Sequence, residues 1–233
     1  MPTPKVLLYD IETAPNLAWV WGKYEQDVIA YEQEGYMLSW SAKWLGGKQT
    51  TKGLCDYKGY TKGTPLDKKL IEELHSLISE ADIVIAHNGD RFDIKKMNAR
   101  FIFHDLKPPE PYKTVDTLKI ARNKFAFNSN KLDDLGETLK LGRKVKHPGF
   151  ALWLGCMNGD KKSWDLMKKY NKQDVLLLEQ VYLKLRPWAT THPPMSYTGD
   201  CQNCGSKEVI NVRKYMTKKG EKTRLQCACG HWS

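Results

Sequence analysis

A short apolar segment near the start of the chain carries two acidic residues. Residues 5–12 (KVLLYDIE) are rich in Val, Leu and Ile, which predicts a buried strand. Asp10 and Glu12 are two positions apart, so a strand directs both side chains to the same face. Burying unpaired charge is expensive. Two acidic residues at the end of a buried strand are therefore costly unless cations bind there.

Two more acidic residues lie far along the chain, in contexts that favour a shared site. Asp93 follows a predicted strand at 82–86, and α/β folds place ligands in the crevice at such strand ends. Asp174 and Tyr170 are four positions apart in a helix predicted from about 163 to 185, so they share one helix face.

Each of these acids, taken alone, is also typical of a solvated side chain or a helix cap. Together, carboxylates from three distant segments repel one another unless cations bind between them. The pattern therefore favours a site for hard divalent ions, and sites of this kind cleave phosphodiester bonds.

The remaining elements predict an α/β fold with a mixed sheet flanked by helices. Further strands are predicted at 36–45, 48–57 and 112–118, and helices at 66–80, 92–104, 117–124 and 131–140. Residues 141–160 are expected to be loop-rich and basic.

The net charge of +10, from 37 basic and 27 acidic residues, favours a polyanionic partner, chiefly nucleic acid. A solvated, lysine-rich surface is the alternative explanation. No apolar run reaches the length of a membrane span, and the N-terminus lacks the layout of a signal peptide. We therefore expect a cytoplasmic protein without a membrane partner.

Four of the six cysteines cluster at the C-terminus, which indicates metal binding rather than disulfides. The four are Cys201, Cys204, Cys227 and Cys229. Two strands predicted between the two pairs suggest a zinc ribbon with one structural Zn²⁺, although His231 is an alternative ligand to Cys229. A module this small needs the metal in order to fold.

The expected organisation has three parts. Residues 1–186 form the α/β domain, the proline-rich residues 187–200 form a linker, and residues 201–233 form the zinc-ribbon β module.

Three motifs resemble the exonuclease motifs of the DEDD (DnaQ-like) superfamily, which has a ribonuclease-H-like fold. They are YDIET around Asp10, the segment from Asn88 to Asp93 (NGDRFD), and the segment from Tyr170 to Asp174 (YNKQD). The last is typical of the tyrosine branch, and the second is similar to family B DNA polymerase proofreading domains. Residues 114–146 also resemble those domains, and the resemblance covers roughly residues 4–186.

The resemblance implies a site that holds two Mg²⁺ or Mn²⁺ ions. Asp10 would bridge both ions, Glu12 and Asp174 would hold the ion that activates water, and Asp93 would contact the second. Tyr170 would orient the attacking water, because a hydroxyl with an ordinary pKa near 10 is a poor base at neutral pH.

Contacts with the substrate are expected from Asn88, Phe92 and Thr13, with Arg91 as a further candidate beside the terminal nucleotide. Phe92 is more typical of core packing, and Thr13 is equally typical of a plain hydroxyl at a strand end. The basic run of Arg143, Lys144, Lys146 and His147 has two interpretations, a phosphate-binding segment and a solvated loop.

The resulting hypothesis is a 3′–5′ exonuclease that releases nucleoside 5′-monophosphates from single-stranded DNA. Alternatives are an RNA-processing 3′–5′ exoribonuclease and a non-catalytic nucleic-acid-binding adaptor, and the fold alone also permits an endonuclease. The ribbon would contact nucleic acid or dock a replication or repair protein. A gene of this kind would suit a virus or a mobile element, whose protein would then act in the host cytoplasm.

Overall fold

Five strands form one mixed sheet, in the order β5-β4-β1-β6-β7. The computed structural model describes residues 4–24, 27–196 and 200–232. The strands of this sheet are β1 Val6–Thr13, β4 Met37–Trp44, β5 Gln49–Gly53, β6 Ile83–Ala86 and β7 Lys113–Asp116. Strand β1 lies at the centre, antiparallel to β4 and parallel to β6, which in turn runs parallel to β7.

Strand β1 is buried on both faces, as its apolar composition predicts. Leu7, Tyr9 and Ile11 belong to one core cluster, and Val6 and Leu8 belong to the other. The alternation places Asp10 and Glu12 on the same face as Val6 and Leu8. The two carboxylates therefore lie at the end of a strand that has no solvated face.

Among the described residues, six α-helices flank the sheet. Their bounds are α1 Lys68–Ser79, α2 Asp93–Phe103, α3 Thr117–Lys124, α4 Leu132–Thr138, α5 Phe150–Met157 and α6 Lys161–Leu185. Helices α1 and α2 contribute to the core cluster that contains Leu7 and Tyr9. The long helix α6 contacts β1, β4 and β5.

Small polar residues on β4 allow α6 to approach the sheet. Ser39 and Ser41 are fully buried and lie opposite Glu12 and Asp10 in the strand pairing. The Ser39 hydroxyl donates to the Asn171 side chain of α6 over 3.2 Å. The helix that carries Tyr170 and Asp174 is thereby anchored beside the acidic end of β1.

The α/β class and the mixed sheet with flanking helices are confirmed, whereas the loop-rich stretch at 141–160 is only partly a loop. It contains α5, whose residues Leu152, Cys156 and Met157 are buried. The helix was missed because Gly149 and Gly155 interrupt a short segment that is apolar on most sides. A Cβ at Gly155 would overlap the Ser163 side chain, so glycine allows α5 and α6 to lie close together.

The segment after β1 forms a small antiparallel hairpin that the sequence did not predict. Its strands are β2 Leu17–Trp19 and β3 Ala30–Gln33, and both are largely exposed. Trp21, between them, is 91% exposed. Without a buried face, these strands have no hydrophobic alternation that would reveal them.

The C-terminal module is a two-stranded antiparallel hairpin of β8 Val209–Thr217 and β9 Gly220–Cys227, as predicted. The stretch before it is in contact with the α/β core: Met195 is buried in the core cluster beneath α6, and its N–H donates to Gln202. Residues 197–199 lie outside the described part of the chain. In the part that is described, no helix is long and apolar enough to cross a membrane.

A buried ion-pair network ties together the first turn of α1, the end of α2 and the start of β4. The fully buried Asp67 carboxylate receives the Arg100 guanidinium and the His104 ring, and it also accepts the Met37 N–H over 2.9 Å. Arg100 is itself only 11% exposed. Removing one partner of such a network leaves the other charge buried and unpaired.

Replacing Asp67 with Ala should lower the free energy of unfolding by about 3–5 kcal/mol, because Arg100 would lose its partner. Urea denaturation measures this change. The matched control is Glu72→Ala, which removes an exposed pair with Lys68 at 4.0 Å and should cost less than about 0.5 kcal/mol. Equal losses in the two variants would contradict a stabilising role for the buried network.

Candidate active site

Three carboxylates meet where β1 faces α6. Single ligand oxygens from Asp10, Glu12 and Asp174 all lie within 4.8 Å of one another. Asp10 and Glu12 come from β1, and Asp174 lies in the middle of α6 with only 1% of its surface exposed. The structure therefore joins residues that are more than 160 positions apart in sequence.

Asp10 is held in place by a helix residue that the sequence analysis did not single out. Asn171 is fully buried, and its Nδ2 donates to Asp10 Oδ2 over 2.6 Å and to the Asp10 carbonyl over 3.2 Å. Its Oδ1 accepts from Ser39. An amide side chain on the mostly apolar buried face of a helix was the signal that could have identified it.

An aromatic group lies beside the carboxylates. The Trp153 side chain lies close enough to Glu12 to lower the pKa of that carboxyl. The His147 ring lies 4.8 Å from the Tyr170 ring and 5.2 Å from the Trp153 ring, between centroids. Trp153 comes from α5, so the helix that the sequence did not predict supplies a contact to the acidic group.

Asp93 approaches from the other side of β1. It is the first residue of α2, is 5% exposed, and accepts the Ile11 N–H over 3.4 Å. It is not part of the close group formed by the other three acids. Its charge nevertheless raises the pKa of Asp10 and that of Glu12.

Burial and mutual repulsion disfavour the charged forms of these acids. Burial, followed by the charges of Glu12, Asp93 and Asp174, holds the pKa of Asp10 well above its usual range. Burial, followed by the Asp174 charge, raises the pKa of Glu12 to about 8. Burial also raises the pKa of Asp93 to about 6, although the N–H donated by Ile11 opposes the shift.

Lys144 offsets part of this repulsion. Its Nζ lies 2.6 Å from Asp174 Oδ2 and donates to the Tyr170 hydroxyl over 2.9 Å. Burial works against the ammonium, but the neighbouring Asp174 and Tyr170 raise the pKa of Lys144 above its usual value. Of the basic run, this lysine therefore turns inward, whereas the exposed Arg143 pairs with Asp133 and Glu137.

The residues expected to contact substrate lie around the same end of the sheet. Thr13 ends β1, and Asn88 lies in the loop after β6, the parallel neighbour of β1. Asn88 adopts a φ of 67°, and its N–H donates to Asp116 over 2.9 Å. Phe92 is 43% exposed, which is more than a core residue would show.

The acidic group suits a hard divalent ion. Its donors are carboxylate oxygens, which Mg²⁺ and Mn²⁺ prefer. The buried Asp174 Oδ1 has no hydrogen-bond partner among the described residues. A cation would satisfy that oxygen and relieve the repulsion that raises the pKa of the neighbouring acids.

The four cysteines form a second candidate metal site. Their sulfur atoms all lie within 4.8 Å of one another. The Cys201–Cys229 and Cys204–Cys227 sulfur pairs are 3.9 and 3.5 Å apart, close to the ~3.8 Å edge of a tetrahedral Zn–S₄ site. His231, the alternative ligand, instead places its Nδ1 3.1 Å from the Pro187 carbonyl oxygen.

The raised pKa values predict how stability responds to pH and to divalent ions. Glu12 and Asp93 bind protons more tightly when folded, so the free energy of unfolding should fall between about pH 5 and pH 8. Without added divalent ions we expect a loss of about 1 kcal/mol or more. Added Mn²⁺ should restore more stability at the upper end of that range than at the lower.

Denaturant unfolding at several pH values measures this effect. Glu12→Gln removes a titrating group and should flatten the dependence. If the free energy of unfolding depended on pH equally in both proteins, and Mn²⁺ stabilised them no more at high pH than at low pH, the electrostatic explanation of the pH dependence would be contradicted.

Comparisons with known proteins agree with this fold. A fold comparison matches the family B DNA polymerase of the hyperthermophilic archaeon Pyrobaculum calidifontis, with a TM-score of 0.59 and 16% sequence identity. The match covers 80% of this chain and 25% of the polymerase, so the chain spans about a quarter of that protein and the likeness concerns the fold. A search of curated proteins found no match.

The family assignment rests on a continuous sequence match rather than on the separate motifs. Models of protein families match residues 43–186 to the RNase H superfamily, which is more than half of the chain. The matched range contains β5 to β7 and helices α1 to α6, including Asp93 and Asp174. The chain belongs to the RNase H superfamily.

Proposed function

We propose that this protein is a metal-dependent 3′–5′ exonuclease of the tyrosine branch of the DEDD superfamily, releasing nucleoside 5′-monophosphates from single-stranded DNA. The observation that carries the proposal is the close group of Asp10, Glu12 and Asp174 beside Tyr170. The RNase H-like fold supports nuclease activity, and the three motifs support the finer assignment.

The proposal assigns two Mg²⁺ or Mn²⁺ ions to Asp10, Glu12, Asp93 and Asp174. Bound there, divalent ions would supply Lewis-acid stabilisation of charge on the phosphate and a more acidic water. The protein's own part is to hold the carboxylates close together in a fixed arrangement. Asn171 fixes Asp10, and the Trp153 indole lies beside Glu12.

Tyr170 acts as a hydrogen-bonding group rather than as a base. Burial, followed by the charge of Asp174, raises the pKa of its hydroxyl above the ordinary value. The hydroxyl therefore stays protonated at neutral pH and can orient a water by hydrogen bonding. Lys144 holds this hydroxyl and Asp174 in one arrangement.

The substrate end would lie at the edge of the sheet where β1 and β6 end. In the proposal Thr13, Asn88 and Phe92 line that end. The exposed Phe92 ring offers a surface on which a terminal base can stack.

Replacing Asp10 or Asp174 with Ala should reduce hydrolysis by about a hundredfold or more, because ligands matter at least as much as the groups that orient them. Tyr170→Phe should slow turnover by about tenfold, the value of one lost hydrogen bond. The control is Lys172→Ala, on the exposed side of α6, which should keep wild-type rates.

The measurement uses DNA and RNA oligonucleotides labelled at the 3′ or the 5′ end, with Mg²⁺, Mn²⁺ or neither. The proposal predicts mononucleotides from the 3′ end of DNA. A ladder from RNA alone would select the exoribonuclease. Internal cuts would select an endonuclease, and wild-type rates in Asp10→Ala would remove the site assignment.

We also propose that the four C-terminal cysteines hold one structural Zn²⁺ in a zinc ribbon. Elemental analysis of the purified protein should find one zinc per chain. Cys204→Ser should lose it and expose the ribbon to proteolysis, since the small module lacks a core of its own. Cys55→Ser, far from the cluster in sequence, should keep it, and equal zinc content in both variants would contradict the assignment.

A further inference from the structure

The two faces of the β8–β9 hairpin differ in chemistry. On one face the strand pairing sets Arg213 opposite Arg224 and Tyr215 opposite Lys222. Trp232 lies alongside, bridged to Gln226 of β9. We call this set of Arg213, Tyr215, Lys222, Arg224 and Trp232 the basic face. The register places Val212 opposite Leu225 on the other face, together with Met216 and the Lys214–Glu221 ion pair.

Nothing in the hairpin neutralises the basic face. Like charges placed directly opposite each other destabilise a sheet. Arg213 and Arg224 form such an opposed pair, and both are exposed. Glu221 is the one acidic residue between Val209 and Cys227, and it pairs with Lys214 over 2.8 Å on the opposite face. The arrangement therefore lacks an internal counter-charge, which an external anion can supply.

Aromatic rings alternate with these cations. The Arg224 guanidinium lies 4.1 Å from the centre of the Tyr215 ring, and that of Arg213 lies 5.8 Å from the centre of the Trp232 ring. Guanidinium groups bind phosphate through paired N–H donors, and exposed rings stack on bases. Cations and rings at neighbouring positions match the alternation of phosphate and base along an unpaired strand.

The ribbon is attached to the helix that carries part of the acidic group. Asn203 Nδ2 donates to the Arg186 carbonyl over 2.8 Å, and His231 contacts the Pro187 carbonyl. Arg186 directly follows α6, about 18 Å along the helix axis from Asp174 at 1.5 Å per residue. The attachment point of the ribbon therefore lies within the length of a few nucleotides from the acidic group.

We propose that the basic face of the hairpin is a second binding surface for single-stranded nucleic acid, which holds the substrate strand upstream of its 3′ end. The identification of the bound strand as a nuclease substrate rests on the proposed function. Phosphates contact Arg213, Lys222 and Arg224, and bases stack on Tyr215 and Trp232.

The test compares two pairs of substitutions that remove equal charge from the zinc-loaded, full-length protein. Arg213→Gln with Arg224→Gln alters the basic face, and Lys207→Gln with Lys214→Gln alters the ribbon elsewhere. Both pairs are made in the Asp10→Ala background, so that binding is measured without cleavage. The probe is a fluorescent oligothymidylate of about 20 nucleotides, a length that exceeds a typical single-strand site.

Loss of the two arginines should weaken binding by about tenfold or more. The slope of log affinity against log salt concentration should become shallower by about 1.4. The lysine pair should change the affinity by less than about twofold. In a separate variant, Trp232→Ala, the oligonucleotide should quench tryptophan fluorescence less than it does in the protein that keeps Trp232. Equal zinc content shows that each variant is folded. Arg213→Lys with Arg224→Lys, which keeps the charge, should recover part of the affinity.

The outcomes separate this proposal from the proposed function. Unchanged binding in the arginine pair, or an equal loss in the lysine pair, overturns the basic face and favours docking of a protein there, whether or not the enzyme cleaves. In the otherwise wild-type enzyme the arginine pair should hydrolyse a dinucleotide, too short to span both places, at the normal rate. If oligonucleotide binding depends on the arginines but no cleavage occurs, the surface stands and the nuclease proposal fails.

Discussion

Repulsion among carboxylates at the end of β1 is the constraint to which the rest of the site responds. Asp10, Glu12 and Asp174 crowd within 4.8 Å. Burial raises the pKa of all three, and the charges of neighbouring acids raise the pKa of Asp10 and of Glu12 further. The structure opposes this cost with a lysine ammonium on Asp174 and an amide donor on Asp10. These contacts compensate only in part, so the site retains a strong preference for added positive charge.

The architecture explains why such a costly group can be held at all. β1 is the central strand, buried on both faces, and α6 is anchored over it through Asn171 and the small serines of β4. Rigid packing on both sides prevents the acids from separating to relieve their repulsion. The same helix also supports the ribbon at its C-terminal end. One rigid element thus joins the acidic group to the cationic hairpin.

The sequence was sufficient where periodicity and residue type acted together. The apolar run before Asp10, the spacing of Tyr170 and Asp174, and the paired cysteines each had a local signal. For Lys144 the basic run did not predict the contact with Asp174, because that contact depends on how a loop folds back across α6. Trp153 likewise depended on α5, which glycines concealed. The exposed hairpin β2–β3 buries too little surface to leave a pattern.

Crystals soaked in Mn²⁺, with anomalous scattering recorded from the metal, test the central claim most directly. The account predicts a manganese peak bounded by the carboxylates of Asp10, Glu12 and Asp174, with the Lys144 ammonium moved away from Asp174. Absence of a peak there at saturating Mn²⁺, with Lys144 still paired to Asp174, would contradict the claim that this acidic group is a divalent-ion site.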